Sequence, residues 1–156
     1  MKFGLAAVLA ALLALNSCEC ADNKNRNECQ ISNKYVTMNN VSSEDLAGIS
    51  KTLDLYVRAA VEGDSKIARP AFAEGATMSH VENDSLVCLP IQALFDYYDA
   101  TGKHQASYEI AECNVAGDVA MVRIESVFGE VRFTDMFTLA KTVSGWIIVS
   151  KIFTVK

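Results

Sequence analysis

The sequence predicts an α+β domain in which helices come first and an antiparallel meander of strands follows. Between residues 43 and 102, apolar residues recur mostly at three- and four-residue steps, which is typical of amphipathic helices. Between residues 104 and 155, apolar and polar residues alternate in runs separated by short glycine-containing turns, which is typical of half-buried strands. The two halves are therefore expected to bury their apolar faces in one shared core.

Composition and charge restrict the classes of function. The chain has 156 residues, 51% of them hydrophobic, which suits one folded domain with a core better than a disordered chain. Its formal net charge is -5, and acids and bases are interspersed without a basic stripe. Binding to the phosphate backbone of a nucleic acid is therefore not expected. The sequence also lacks the short signatures of nucleotide sites, zinc proteases and serine hydrolases.

Residues 1–20 are predicted to be a secretory signal peptide. Lys2 supplies the positive charge, and the apolar run from Leu5 to Leu15 is too short to span a bilayer. Two processing sites remain open. The stretch Leu15-Asn16-Ser17-Cys18 resembles a bacterial lipobox, in which Cys18 would carry a lipid anchor, and ordinary cleavage near residues 18–21 is the alternative. Both predict a secreted or extracytoplasmic domain whose only membrane contact would be an anchor at Cys18.

The five cysteines suit such a compartment, because disulfides persist outside the cytoplasm. If Cys18 is lipidated or removed, four remain: Cys20, Cys29, Cys88 and Cys113. We expect Cys88 and Cys113 to form the bridge within the domain, while sequence alone leaves the connectivity open. The sequence contains no CxxC pair and no cluster of histidine and cysteine, so neither a metal site nor a cofactor is expected.

Residues 21–43 are polar and rich in asparagine, and they are interpreted as a tether to the domain of residues 44–156. Three helices are predicted, starting at Ser43, Ser65 and Pro90. Acidic residues in the first turn of the first helix, and glycines after the first and third helices, are typical helix boundaries. The predicted ends are Gly63, Phe72 and Gly102, and Pro70 limits the second helix.

The predicted strands are joined by turns that set their register. A small hairpin joins residues 76–82 to residues 85–89 through Asn83-Asp84. Four further strands cover His104–Asn114, Asp118–Phe128, Val131–Lys141 and Trp146–Val155. The two-residue turn Gly129-Glu130 pairs Phe128 with Val131, and this register places Asp135 opposite Ile124.

The last strand, WIIVSKIFTV, is apolar on both of its faces. An antiparallel strand with one face in solvent normally carries polar residues on that face. The outer face of the sheet is therefore predicted to meet another subunit, which would make the protein a homodimer.

Asp135 interrupts a strand face that is otherwise apolar. In the predicted register this face collects side chains from two strands, and only Ser126 and Asp135 are polar among them. An ionised carboxylate without a partner in such surroundings carries a large desolvation cost. We therefore expect Asp135 either to stay neutral and donate a hydrogen bond to a ligand, or to accept hydrogen bonds from Tyr56, His80 or Lys151.

Four motifs carry a resemblance to a known family: Tyr56-Val57-Arg58 with Glu62-Gly63-Asp64, Phe72-Ala73-Glu74-Gly75-Ala76, Thr134-Asp135-Met136-Phe137, and the stretch 145–153. With the order of the elements, they resemble the nuclear transport factor 2-like superfamily over residues 44–156, and within it the branch named putative lumazine-binding, beside the SnoaL-like branch. The resemblance implies a cone-shaped barrel, with three N-terminal helices packed on a strongly curved antiparallel sheet. The inner face of this sheet would line a pocket that the helices close.

The resemblance also implies roles for particular residues. In the steroid isomerases of this superfamily, a tyrosine on the first helix and an acid on a late strand form an oxyanion hole. Tyr56 and Asp135 take these places, and His80 falls where the isomerases have an aspartate as general base. Because of this departure, the isomerase activity itself is not carried over. The pocket lining that the resemblance and the predicted register imply is Tyr56, Phe95, Ile124, Ser126, Phe133, Asp135 and Phe137.

Three functions from different classes follow. The leading hypothesis is a binding module that holds a small apolar or heteroaromatic molecule in the cone, with lumazine suggested by the name of the branch. The second is an enzyme, a cofactor-free isomerase, dehydratase or cyclase that uses His80 as base with Tyr56 and Asp135. The third is a dimerising scaffold without a ligand. Binding is placed first because only the resemblance singles out His80 as a base.

Overall fold

The fold is the α+β arrangement that the sequence predicts, with helices packed on a curved sheet, as a computed structural model shows. The structure describes residues 37–39 and 41–156, within a compact unit formed by residues 35–156. The predicted signal peptide, its Cys18 and most of the predicted tether lie outside the described residues. The elements are β1 (Thr37–Asn39), α1 (Ser43–Glu62), α2 (Ser65–Ala68), a 3-10 helix (Arg69–Ala71), β2 (Phe72–Glu82), β3 (Ser85–Pro90), α3 (Gln92–Thr101), β4 (Ala106–Ala116), β5 (Val119–Phe128), β6 (Val131–Thr142) and β7 (Gly145–Val155).

Helix α1 packs against the sheet at β4 and β7, and its two caps fix where it begins and ends. At the start, Ser42 Oγ accepts a hydrogen bond from the backbone N–H of Asp45 at 3.0 Å. At the end, Gly63 has a φ of 63°, the left-handed conformation that favours glycine. The predicted helix boundaries are therefore confirmed. The predicted apolar stripe is also buried, at Ile49, Leu53, Tyr56 and Ala60.

The second helix is shorter than predicted. It is α-helical only over Ser65–Ala68, and a 3-10 helix continues to Ala71, so that Phe72 already begins β2. Pro70 lies in this segment and removes a backbone donor that a longer helix would need. Phe72 pairs instead with Ile148 of β7. The predicted end of the helix at Phe72 is therefore wrong, because pairing in the sheet overrides the local pattern.

The seven strands form one sheet in the order β1-β4-β5-β6-β7-β2-β3. The pairs β1–β4 and β2–β7 are parallel, so the sheet is mixed, and the prediction of a wholly antiparallel sheet is wrong at these two pairs. Residues 37–39, which were assigned to the tether, form the edge strand β1. No turn sequence could predict these two parallel pairs, because each joins strands that are far apart in the chain.

The antiparallel register follows the turns, as predicted. Phe128 pairs with Val131, and Asp135 lies opposite Ile124 across β5 and β6. The hairpin of β2 and β3 turns at Asn83-Asp84, where the φ angles of 48° and 59° are typical of a two-residue type I′ turn.

The expected bridge between Cys88 and Cys113 is wrong, because both thiols are free. Cys113 is buried on β4, whereas Cys88 is exposed on the edge strand β3. Strands β5, β6, β7 and β2 lie between them in the sheet. One thiol therefore lies in the core and the other at an exposed edge, whereas a disulfide requires the two side chains to meet.

The described part of the chain contains neither a membrane-spanning helix nor a cluster of metal ligands. None of its helices is both long and apolar enough to cross a membrane. Across residues 37–39 and 41–156, no group of three or more His, Cys, Asp or Glu side chains is arranged to hold a metal ion. The buried polar or charged residues in the described part of the chain are Thr52, Ser65, His80, Ser126, Asp135 and Lys151.

Candidate functional site

The polar centre of the inner sheet face is Asp135, which is fully buried on β6. Its Oδ2 accepts a hydrogen bond from Ser126 Oγ at 2.5 Å. Its Oδ1 lies 2.7 Å from Lys151 Nζ, a contact with the distance of an ion pair but not the angles of a well-aligned hydrogen bond. Of the three partners expected for Asp135, the structure selects Lys151. Both carboxylate oxygens are therefore engaged by other side chains of the sheet.

Lys151 is 4% exposed, and two aromatic rings surround its ammonium group. Nζ lies 3.8 Å from the centroid of the Phe153 ring and 5.8 Å from that of Tyr56. Burial lowers the pKa of Lys151, and the charge of Asp135 opposes that shift. A carboxylate and two ring faces together thus replace the water that a surface lysine would keep.

The predicted lining did not include Lys151, because strict alternation along β7 does not hold. Leu139 of β6 pairs with Ile148, but the preceding Thr138 pairs with Ser150, so Val149 is an extra residue on β7. Such a bulge shifts the following side chains to the opposite face. As a result Ile148 and Lys151, three residues apart, are both buried on the inner side. The only sequence signal was a lysine in the middle of an apolar strand.

His80 lies on β2 and is 4% exposed. Its ring stacks on Phe153, with the centroids 4.9 Å apart and the planes at 28°. Both ring nitrogens, Nδ1 and Nε2, are buried and have no hydrogen-bond partner among the described residues. A neutral imidazole offers one donor and one acceptor, and leaving such groups unpaired in a protein interior is costly.

Aromatic rings form a connected wall on the inner side. Tyr56 contacts Phe128 and Phe137 edge to face at centroid distances of 5.6 and 5.4 Å. Phe133 then contacts both Phe128 and Phe153 at 5.9 Å, which links Tyr56 to the ring beside His80. The neighbouring rings meet edge to face, so the wall is apolar, and pockets lined by aromatic side chains suit apolar or aromatic ligands.

The other predicted lining residues divide into two groups. Ile124 is fully buried and lies opposite Asp135, and Ser126 holds the same carboxylate. Phe95 is buried on α3 but reaches the aromatic wall only through Phe72, whose ring centroid is 5.7 Å away. Phe95 therefore lies behind the aromatic wall, whereas Ile124 and Ser126 lie beside Asp135 at the polar centre of the inner face.

Tyr56, on α1, is 2% exposed. Burial raises the pKa of its hydroxyl well above the usual value, and the charge of Asp135 and the neighbouring Tyr98 add to the shift. Tyr56 therefore stays protonated. No hydrogen bond among the described residues joins Tyr56, His80 and Asp135 to one another. The structure brings the three onto one aromatic wall without linking them directly.

The outer face of the sheet carries exposed apolar side chains. Met121, Met136, Val149 and Ile152 are 57%, 44%, 44% and 48% exposed. Two grooves of about 510 and 170 Å³ lie here, and both are lined by Asn114, Met121 and Thr138. This patch, defined by Met121, Met136, Val149 and Ile152, is called the outer patch below.

Comparisons with known proteins point to one family and one fold. A profile of the family described as "Putative lumazine-binding" matches residues 44–154. An NTF2-like protein of unknown function from Shewanella baltica OS155 is 34% identical, with a TM-score of 0.69, over 76% of this chain and 98% of that chain. Another, from Methylobacillus flagellatus KT, is 31% identical, with a TM-score of 0.68, over 75% and 96%.

More distant structures share the fold alone. A ketosteroid isomerase-like protein from Erwinia carotovora atroseptica SCRI1043 is 18% identical, with a TM-score of 0.57, over 73% of this chain and 98% of that chain. No protein with a curated description matches this chain.

Proposed function

This chain belongs to the family named "Putative lumazine-binding", within the NTF2-like superfamily, and we propose that it binds a small, flat, apolar or heteroaromatic molecule at the inner face of its sheet. The ligand would lie against the aromatic wall of Tyr56, Phe133 and Phe137. Lumazine is the first candidate, because the family carries its name.

The observation that carries this proposal is the pair of unpartnered ring nitrogens on His80. A phenylalanine at this position would stack on Phe153 as well as the histidine does, and it would avoid the cost of buried polar atoms. A histidine here therefore makes sense when a polar edge of a ligand pairs with its ring. A ligand-free scaffold has no such use for it.

Binding fits the surroundings of Asp135 better than an oxyanion hole built on this residue does. Donation of a hydrogen bond to an oxyanion would require a protonated carboxyl with a free O–H. Here Ser126 and Lys151 engage both oxygens. In this proposal Asp135 therefore holds Lys151 in place. His80 and the rings of the aromatic wall make the direct contacts with the ligand.

The substitution His80→Phe tests this proposal. We expect it to stabilise the ligand-free protein by about 1 kcal/mol, because two unpaired buried nitrogens disappear. We also expect it to abolish the rise in melting temperature that lumazine causes in the wild type. Thermal unfolding with and without lumazine, together with native mass spectrometry for a ligand retained on purification, measures both effects.

His104→Phe is the matched control, since His104 is the other histidine of the chain and contacts Tyr97 and Thr101 away from Asp135. It should leave the response to ligand unchanged. If His80→Phe lowers the stability of the ligand-free protein and leaves ligand binding intact, His80 is a packing residue and its role in binding is wrong. If the wild type neither retains a ligand nor gains melting temperature with lumazine, the proposed function fails.

The proposal includes a homodimer formed through the outer patch. Four large apolar side chains on one sheet face make a contiguous surface of the kind that marks protein interfaces. The area is suited to a second copy because the same sheet face is available on both subunits, as a two-fold interface requires.

Export is the last part of the proposal. The charged start and short apolar run of residues 1–20 support an extracytoplasmic location. Fractionation of cells followed by mass spectrometry of the mature N-terminus tests it. A lipidated Cys18 would identify an anchored protein, an unmodified residue near position 21 would identify a secreted one, and an intact Met1 in the cytoplasm would contradict both.

A further inference from the structure

Lys151 differs from every other lysine in the described residues. It is 4% exposed, whereas Lys51, Lys66, Lys103, Lys141 and Lys156 are all exposed. Its amine lies at the polar centre of the inner face, 2.7 Å from Asp135 and 3.8 Å from the centroid of Phe153. A purely structural pair at this position offers no clear advantage, because apolar residues of similar size often stabilise a core as well or better.

We propose that Lys151 forms an imine with the carbonyl carbon of an apolar aldehyde or ketone held against the aromatic wall. This inference rests on the proposed function, since it requires a ligand at the inner face. It replaces lumazine, whose carbonyl groups are amide-like and form no imine, by an aldehyde or ketone as that ligand. Lys151 would thereby be a catalytic or covalent attachment residue, and Asp135 its proton acceptor and counter-ion.

The step balances with groups that are present. The ammonium of Lys151 passes one proton to Asp135 Oδ1, which is 2.7 Å away. The free amine then adds to the carbonyl carbon, a C–N bond forms, and a proton moves from nitrogen to the carbonyl oxygen. Asp135 returns its proton to the resulting hydroxyl, the C–O bond breaks and water leaves. The product is an iminium ion, with no change in oxidation state or total charge.

The environment of the ammonium suits the iminium equally well. The iminium keeps the positive charge, so Asp135 retains its ion pair and the rings of Phe153 and Tyr56 retain their cationic partner. Burial also lowers the pKa of Lys151, which raises the fraction of nucleophilic free amine near neutral pH.

Reductive trapping tests the inference on the whole chain. The protein is incubated with 2-naphthaldehyde, a flat aromatic aldehyde, and sodium cyanoborohydride, and its peptides are analysed by mass spectrometry. We expect Lys151 to be modified about tenfold faster than exposed Lys51, because a ligand held against the aromatic wall presents its carbonyl carbon to the Lys151 amine at a high effective concentration. Asp135→Asn should slow the reaction at Lys151 and leave Lys51 unchanged. In Lys151→Arg the adduct at position 151 should disappear.

A second ligand separates failure of this inference from failure of the proposed function. The alcohol 2-naphthalenemethanol has the same ring system but no carbonyl group. If it raises the melting temperature while the aldehyde modifies only exposed lysines, the imine is ruled out and the binding site stands. If neither the alcohol nor lumazine raises the melting temperature and Lys151 is not modified, both ideas fail. Preferential modification of Lys151 in the wild type supports the imine without relying on the folding of any variant.

Discussion

At the level of single residues, the stability of the inner face depends on the pair of Asp135 and Lys151. Both are almost fully buried, so neither can exchange its partner for water. We expect Asp135→Leu to lower the free energy of unfolding by about 3–5 kcal/mol, because it leaves a buried ammonium unpaired. Adding Lys151→Met removes that unpaired charge, so the double variant should recover most of the loss. Urea unfolding of the two variants and the wild type measures the difference.

The comparison of single and double variants is the control, because both lose the same hydrogen bond from Ser126 to Asp135. If the single and double variants are equally destabilised, the charge of Lys151 is not what Asp135 balances in the wild type. A stabilising Asp135→Leu would contradict the ion pair itself, because it would mean that the Lys151 ammonium does not depend on Asp135 as its partner.

At the level of elements, the end of α1 is fixed by a contact between two glycines. A Cβ atom added to Gly63 would lie 2.4 Å from the backbone carbon of Gly102, directly after α3. Gly63 also has a φ of 63°. Gly63→Ala is therefore expected to cost more than the about 1–2 kcal/mol of a left-handed alanine, since the ends of α1 and α3 must also separate. Thermal or urea unfolding gives the value.

Gly117→Ala is the matched control for that substitution. Gly117 has a similar φ of 65°, but nothing lies within 4 Å of the Cβ atom that alanine would add. The difference between the two variants isolates the contact between the helices from the backbone strain. Equal losses of stability would show that the close approach of Gly63 and Gly102 has no energetic weight.

At the level of the whole molecule, helices cover one face of the sheet and leave the outer patch exposed. Met121→Asp places a charge within this patch, at its most exposed member, where burial against a second copy would be costly. We expect the wild type to sediment as a dimer and Met121→Asp to sediment as a monomer at the same concentration. Analytical ultracentrifugation distinguishes the two.

Val143→Asp provides the control for the outer patch, because Val143 is fully exposed in the turn between β6 and β7 and lies outside the patch. It should leave the dimer intact. A wild type that sediments as a monomer would contradict the proposed dimer, and loss of the dimer in both variants would argue against this location for the interface.

The sequence by itself determined the features that depend on neighbours in the chain. The caps of α1 and the turns at Asn83-Asp84 and Gly129-Glu130 are local, and a turn of known length fixes which residues pair. For this reason the position of Asp135 opposite Ile124 could be predicted, and with it the polar centre of the site.

Only the tertiary structure decided the rest. The parallel pairing of β2 with β7 placed His80 beside Phe153, and the bulge at Val149 turned Lys151 inward to Asp135. The same strand order separated Cys88 from Cys113. Each of these contacts joins segments that are distant in the chain, and their energy comes from packing and desolvation in the assembled core. No local pattern of residues encodes such energies. The sequence therefore left three possible partners for Asp135, and only the assembled sheet shows that Lys151 is the one in contact.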